Sequence, residues 1–349
     1  QAALSALGDV AALNVAGFTR DDMPILTTNR SPAFDVTRCS HAVLGVRDLA
    51  ASKRFYVDLL GWRLTEQTSD ALYLRGMECR GHHSLVLRKA DQPSCQRLAI
   101  KLGGEEDLDA AASWFAARGL PVEFVDVHAQ GRTFHTRDPF GMPLEFYHSM
   151  EQAECLLQRY VDYRGARIQR FDHFNCYSPD VQKSYEFYNA MGFRPTEYTE
   201  SEEDGNAMWA IWLHRKGGSH DIAFTNGKGP RLHHFAAWVP TPLDLIHVCD
   251  ILASADADHH IERGFGRHGI GNAFFLYLRD PDQHRIELFV GDYLTVDTDL
   301  VPKRWEFRDK RRQTLWGTPA PMSWFTEGTE FDRVPPRDPS IAPKPIVAH

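Results

Sequence analysis

The strongest constraint on this chain is an internal duplication. Phe55-Tyr56, Leu60-Gly61-Trp62-Arg63 and Thr65-Glu66 are echoed in order by Phe187-Tyr188, Met191-Gly192-Phe193-Arg194 and Thr196-Glu197. Such an echo means two copies of one supersecondary unit. A short apolar strand precedes each echo, at residues 36–46 and 169–175. An aspartate then suits a helix N-cap (Asp48, Asp180), and an amphipathic helix follows, residues 49–60 and 184–191, stopped by Gly61 and Gly192. Strands are expected at residues 62–66, 71–75 and 84–88. Each half holds a second unit of the same kind, one from Arg97 to Tyr147 and one from Arg231 to Phe289. The pattern predicts an α+β fold of four tandem βαβββ modules in two domains, residues 35–150 and 169–296. A polar linker helix (151–168) joins them, an N-terminal extension (1–34) precedes them, and a tail (297–349), rich in proline near its end, covers a site or an interface.

Composition narrows the function classes. A chain of 349 residues with 43% apolar and 25% charged residues suits two ordinary globular domains. The net charge of −8 and the lack of a basic stripe speak against nucleic acid. No apolar run approaches the roughly 20 residues of a membrane span. Six cysteines without CxxC spacing read as reduced thiols of a cytoplasmic protein. Residues 1–22 lack the cationic start of a signal peptide, and Met23 is a candidate natural start.

Chemistry concentrates in the second half. Phe171-Asp172-His173-Phe174-Asn175, Arg231-Leu232-His233-His234-Phe235 and Arg285-Ile286-Glu287-Leu288-Phe289 each set a histidine or carboxylate in a strand pattern. Two histidines and one carboxylate from separate strands suit a facial triad for a non-haem metal. Neighbouring strand positions face opposite ways, so only one of His233 and His234 is expected to reach it. Overlaying the halves puts His173 on His41, Glu287 on Glu145, His220 on His83 and His234 on Ile100. The first half then lacks its central ligand and is expected to hold no metal there. Asn175, Trp212, His220, Arg263, His268 and Tyr277 are further polar residues flanked by apolar ones. His220 sits at a strand mouth, where a histidine exchanges protons near neutral pH. The glycine-rich loop 263–269 has no phosphate-loop Lys-Ser/Thr, and is expected to bring Arg263 and His268 close to a ligand.

These motifs, with Trp212-Leu213-His214-Arg215-Lys216 and Asp280-Pro281-Asp282, resemble the two-domain extradiol catechol dioxygenases of the vicinal oxygen chelate superfamily. The fold of that group is glyoxalase/bleomycin-resistance/dioxygenase-like, and the resemblance covers roughly residues 34–330. It is greatest to homoprotocatechuate 2,3-dioxygenase and the catechol 2,3-dioxygenases. The resemblance implies His173, His234 and Glu287 as ligands of Fe(II), or Mn(II) in some members. It implies His220 as acid/base, with Tyr277 and His268 as catalytic hydrogen-bonding partners. Asn175, Trp212, Arg263, Arg311, Arg312 and Trp324 are implied as substrate-binding. It implies a homo-oligomer, a tetramer, acting on a catechol and O2. Catechol or an alkylcatechol is the expected substrate, homoprotocatechuate the alternative, which Arg311-Arg312 favours unless they form a solvated basic turn. A glyoxalase-like isomerase and a metal-free binding protein are disfavoured by the ligand types in the C-terminal half.

Overall fold

The structure is a computed structural model and describes residues 26 and 28–344. Strand β1 (Val36–Val46) ends at Asp48, whose carboxylate accepts from the backbone N–H groups of Ala50 and Ala51 and starts helix α1 (Leu49–Lys53). The regular helix expected over 49–60 stops early. From Arg54 to Leu59 it widens into a π-turn, with Leu60 N–H bonding Phe55 C=O. The wider turn buries the adjacent Phe55 and Tyr56 together. Tyr56 then donates its hydroxyl to Asp280 of the other domain (2.9 Å). Gly61, at φ +86°, ends the element, and a Cβ there would lie 2.0 Å from the Arg164 carbonyl.

Strands β2 (Arg63–Gln67), β3 (Ala71–Arg75) and β4 (Leu85–Lys89) complete the first module. The second comprises β5 (Ser94–Leu102), α2 (Glu105–Ala116), β6 (Glu123–Val125), β7 (Thr133–Arg137) and β8 (Pro143–Tyr147). The third has β9 (Arg170–Ser178), α3 (Val181–Ala190), β10 (Arg194–Ser201), β11 (Ala207–His214) and β12 (Ile222–Asn226). The fourth has β13 (Arg231–Trp238), α4 (Pro242–Ser254), β14 (Ile261–Arg267), β15 (Phe274–Arg279) and β16 (Arg285–Val290). The Pro240-Thr241-Pro242 break is the start of α4, with a capping box between Thr241 and Asp244.

One sheet runs β2-β3-β4-β1-β5-β8-β7-β6 and the other contains β10-β11-β12-β9-β13-β16-β15-β14, the same order repeated. In each, the two modules meet across an antiparallel central pair, β1/β5 or β9/β13. The two halves share one continuous apolar core, in which Trp114 and Phe115 of α2 pack against Phe187 of α3. A Phe→Ala change in such a core costs about 3–5 kcal/mol.

The connection at 151–168 is not the expected helix. It holds one 3-10 turn, Tyr160–Asp162. Its backbone bonds instead to the 80–82 loop, through His82 N–H to Glu151 C=O and Ala153 N–H to Arg80 C=O. Leu157, Tyr160 and Val161 are exposed, so these side chains gain no tertiary packing that would stabilise a helix. The tail adds β17 (Lys303–Glu306) beside β10, β18 (Trp316–Gly317) beside β14 and β19 (Thr329–Glu330) beside β13. The expected start at Met23 and the extension 1–22 lie outside the described residues. No helix among the described residues is long and apolar enough to cross a membrane.

Candidate metal and substrate site

Strand alternation builds the site. On β9, His173, Asn175 and Tyr177 face a cavity, while Phe174 and Cys176 face the core. On β16, Glu287 and Phe289 face the cavity, and Ile286 and Leu288 the core. His173 Nε2 and His234 Nε2 lie 3.2 and 3.1 Å from the same oxygen, Glu287 Oε2, and all three side chains are buried.

On β13 the alternation breaks. A register shift between Leu232 and His234 brings both histidines of the pair to the cavity side, their Nδ1 atoms 2.6 Å apart. The expectation that the two rings face opposite ways is therefore corrected; of the pair, His234 is the one whose ring nitrogen reaches Glu287. His233 Nε2 donates to the Trp324 carbonyl (2.9 Å) and so ties the tail to the strand beside His234.

The electrostatics of the cluster suit a cation. Burial alone would raise the Glu287 pKa, but the hydrogen bond from His173 and the adjoining His234 and His268 imidazoles hold it well below the usual carboxylate range. Burial takes His234 down to about 4. Burial also pulls on His173, but its hydrogen bonds to the Asp172 and Glu287 carboxylates overcome this and leave that imidazole above its ordinary pKa. A buried carboxylate and two imidazole nitrogens converging on one point are costly without a partner, and a divalent ion satisfies all three. Asp172 Oδ2 accepts from His173 Nδ1 (3.0 Å), which orients the ring with its Nε2 toward Glu287. Asp172 is itself held by Arg170 (3.2 Å) and Lys216 (3.4 Å).

The remaining candidates separate clearly. Asn175, Trp212, His220, His268, Tyr277, Arg312 and Trp324 line the cavity, which encloses about 1080 Å³ including its open mouth. The His220 ring centroid is 3.9 Å from that of His173, and its Nδ1 lies 3.0 Å from Ser219 Oγ. Burial, then the nearby His173 and Lys216 charges, holds His220 well below the usual imidazole pKa. His268 Nδ1 donates to the Gln313 carbonyl, so its Nε2 accepts from Tyr277 Oη at 2.9 Å.

Two of the expected substrate-binding residues, Arg263 and Arg311, are not among those lining the cavity. Residues 261–267 form strand β14 rather than a loop. Gly266 lets that strand close on Phe275 and Trp316, where a Cβ would lie 2.6 and 2.9 Å away. Arg263 is buried behind the cavity wall, bonded to Thr318, Gln313 and Thr314 and stacked on Phe275, Tyr277 and Trp324. Arg311 points outward and pairs with Asp309 (2.8 Å). Only Arg312 of the pair turns inward, because its Nε is drawn to the Phe307 carbonyl (2.9 Å).

Sequence reasoning missed the other tail residues on the cavity, Phe307, Gln313, Phe325, Thr326, Pro343 and Lys344. It also missed the clamp that holds them. Arg285 donates to the carbonyls of Ser323 and Glu327 (3.0 Å each) and to both oxygens of Glu262. Arg285, two residues before Glu287 in a buried strand, was the available signal.

Comparison with known proteins agrees with this geometry. The family model described as Glyoxalase/Bleomycin resistance protein/Dioxygenase superfamily matches residues 38–146 and 170–288. A manganese-dependent 2,3-dihydroxybiphenyl 1,2-dioxygenase of Geobacillus genomosp. 3 is 30% identical, covering 84% of this chain and 99% of that protein. A metapyrocatechase of Geobacillus stearothermophilus is 28% identical over 86% of this chain and 95% of its own. Homoprotocatechuate 2,3-dioxygenase from Brevibacterium fuscum, solved with 3,4-dihydroxyphenylacetate, superposes with a TM-score of 0.83 at 38% identity, covering 87% and 96% of the two chains. Two matched halves, a shared architecture and near full-length relatives place this chain in the glyoxalase/bleomycin resistance protein/dioxygenase superfamily, among its extradiol ring-cleaving dioxygenases.

Proposed function

We propose that the chain opens the ring of a catechol bearing an anionic substituent, using O2 and a metal held by His173, His234 and Glu287. The observation that carries the substrate reading is Arg312. It lines the cavity, is almost fully buried, and has no carboxylate within salt-bridge distance among the described residues. A buried guanidinium without an anion is costly, and burial lowers its pKa to about 10. A substrate carboxylate would satisfy it, as 3,4-dihydroxyphenylacetate would supply. The apolar lining of Trp209, Trp212, Ile270, Phe289 and Phe307 favours a second reading, catechol or an alkylcatechol.

The donor set of two imidazoles and one carboxylate fits Fe(II) or Mn(II). His173, His234 and Glu287 would hold the ion, which would supply Lewis acidity toward the catechol and an open-shell, spin-allowed path for triplet O2. The chain's own residues do the rest. His220, kept neutral by burial, takes the proton of a catechol hydroxyl and returns it as the ring opens to a 2-hydroxymuconic semialdehyde-type product. Tyr277 and His268, joined by their hydrogen bond, present polar groups beside Glu287 where charge develops on oxygen. Asn175, Trp212 and Trp324 wall the ring. Arg263 acts on Tyr277 and Trp324 from behind.

The test compares kcat/KM for 3,4-dihydroxyphenylacetate, catechol and 4-methylcatechol in wild type and Arg312→Met. A lost charged hydrogen bond of about 1.5–3 kcal/mol predicts a loss of roughly 10- to 100-fold for the carboxylate substrate alone. Equal loss for all three substrates, or a wild-type preference for 4-methylcatechol, would favour the second reading. We also propose a homotetramer in the cytoplasm. The reading is supported by exposed Leu294, Val296 and Val301 in one segment and by the absence of disulfides among the described residues. Light scattering of the purified chain checks the assembly.

A further inference from the structure

We propose that the N-terminal domain carries a second divalent transition-metal site, formed by Glu66, His82 and His128. Glu66 lies on edge strand β2, His82 in the loop leading to β4, and His128 in the loop between β6 and β7. His82 Nε2 and His128 Nε2 approach the same oxygen, Glu66 Oε2, at 3.1 and 2.8 Å. That repeats the arrangement of His173 and His234 around Glu287 Oε2. Among the described residues these are the two groups of three candidate ligand atoms gathered so closely. Bonds of about 2.0–2.1 Å to a tetrahedral ion set its donors roughly 3.3 Å apart, so small shifts admit the ion.

The surroundings orient the rings. Tyr73 packs on both imidazoles, with centroids 5.3 Å from His82 and 5.0 Å from His128. His82 Nδ1 lies 3.1 Å from His83 Nδ1, as His234 Nδ1 lies 2.6 Å from His233 Nδ1. A metal-bound His82 carries its proton on Nδ1, and His83 Nδ1 can accept it. His83 is itself nearly fully buried, and its Nε2 finds no hydrogen-bond partner.

The site is distinct from the domain's counterpart of the catalytic cluster, which centres on Glu145. Glu66 and His128 are partly exposed, so an ion enters from solvent and keeps positions for water or a small anion. Two imidazoles and one carboxylate select Zn2+, Ni2+, Co2+ or Cu2+ over Ca2+ and Mg2+, which prefer all-oxygen shells.

The test loads the full chain with Fe(II), then equilibrates it against Zn2+ and counts both metals per chain by elemental analysis. One equivalent of zinc beyond the retained iron is expected. His128→Ala, a half-exposed position, should lose it while turnover stays at the wild-type level, and Glu66→Gln should weaken it at least tenfold. His234→Ala should keep it. No zinc beyond the catalytic equivalent, or an extra equivalent that survives both His128→Ala and Glu66→Gln, would overturn the proposal.

Discussion

The two halves of the molecule carry nearly the same parts and spend them differently. His41 and His173 lie opposite Ala99 and Ala236, and Glu145 and Glu287 lie opposite the same two alanines. Two residues before each alanine stand Arg97 and His234, each directly across from the strand residue two after the histidine, Val43 or Asn175. The structural counterpart of His234 is thus Arg97, not Ile100. In the C-terminal half the third donor is an imidazole. In the N-terminal half it is a guanidinium, with Nε 3.8 Å from Glu145 Oε2. His135, which takes the position of Tyr277, bonds Glu145 at 2.9 Å, and Gln130 does so at 2.9 Å. The chain supplies there the positive charge that a metal would supply in the other half. One residue type decides which of these two matched clusters can accept an ion.

The sharpest way to break this comparison is to make the halves alike. His234→Arg should turn the C-terminal cluster into a copy of the N-terminal one. Metal content at that site should fall to background. Ring cleavage should fall by far more than the roughly 10- to 100-fold of losing a partner that merely orients a ligand. The fold should persist, because the N-terminal half already tolerates that arginine. Near-full iron content and turnover in the variant would sink the account. His220→Asn tests the next effect. Metal content should stay, and turnover at neutral pH should drop roughly 10²- to 10⁴-fold, the range of a positioned acid/base.

Arg97→Met probes the other half. It leaves Glu145 buried beside His41, His135 and Gln130 but without its arginine. A fully buried pair broken from one side costs about 3–5 kcal/mol. Arg97 is partly exposed and Glu145 keeps three donors, so a loss of about 1–2 kcal/mol is expected from denaturant unfolding. An unchanged unfolding midpoint would mean that the arginine does not neutralise Glu145.

Much of this was readable in the sequence because the signals were local. The echo of Phe-Tyr, Gly and Thr-Glu revealed the duplication, and the sheets repeat in the same strand order. His173 and Glu287 sit in alternating apolar strands whose inward positions could be counted. Failures came where alternation carries no information. Leu98, Ala99 and Ile100 are all apolar and buried, so a frame three residues out reads equally well. The bulge at Leu232/His234 breaks the period of two without changing any residue type. Arg311 and Arg312 differ only in which neighbour captures them, Asp309 or the Phe307 carbonyl, and that is decided by a turn at Lys310–Arg312. The tail closes the cavity through carbonyl contacts that leave no pattern in side-chain identity.

The tail is the other asymmetry between the halves, and its clamp gives the smallest effect. Glu262 receives Arg285 (2.6 and 2.9 Å), Arg279 (2.7 Å) and Ser323 (2.7 Å), and so joins β14 to the segment carrying Trp324. Burial alone would raise the Glu262 pKa, but hydrogen bonds and charge from Arg285 and Arg279 bring it down to about 2. An acid whose folded pKa is depressed stabilises the fold above its unfolded pKa, roughly 4.3, and loses that contribution as pH falls toward the folded value. Amide-exchange protection of residues 323–327 should therefore be flat from pH 5 upward and decline between about pH 4.5 and 2. Glu262→Gln keeps the shape but removes the charge. It should raise KM more than it lowers kcat, because Trp324 and Phe325 wall the cavity without meeting the reacting atoms, and it should abolish the acid-side decline. A decline unchanged in Glu262→Gln would assign it to other carboxylates and leave the tail held by the Arg285–carbonyl bonds alone.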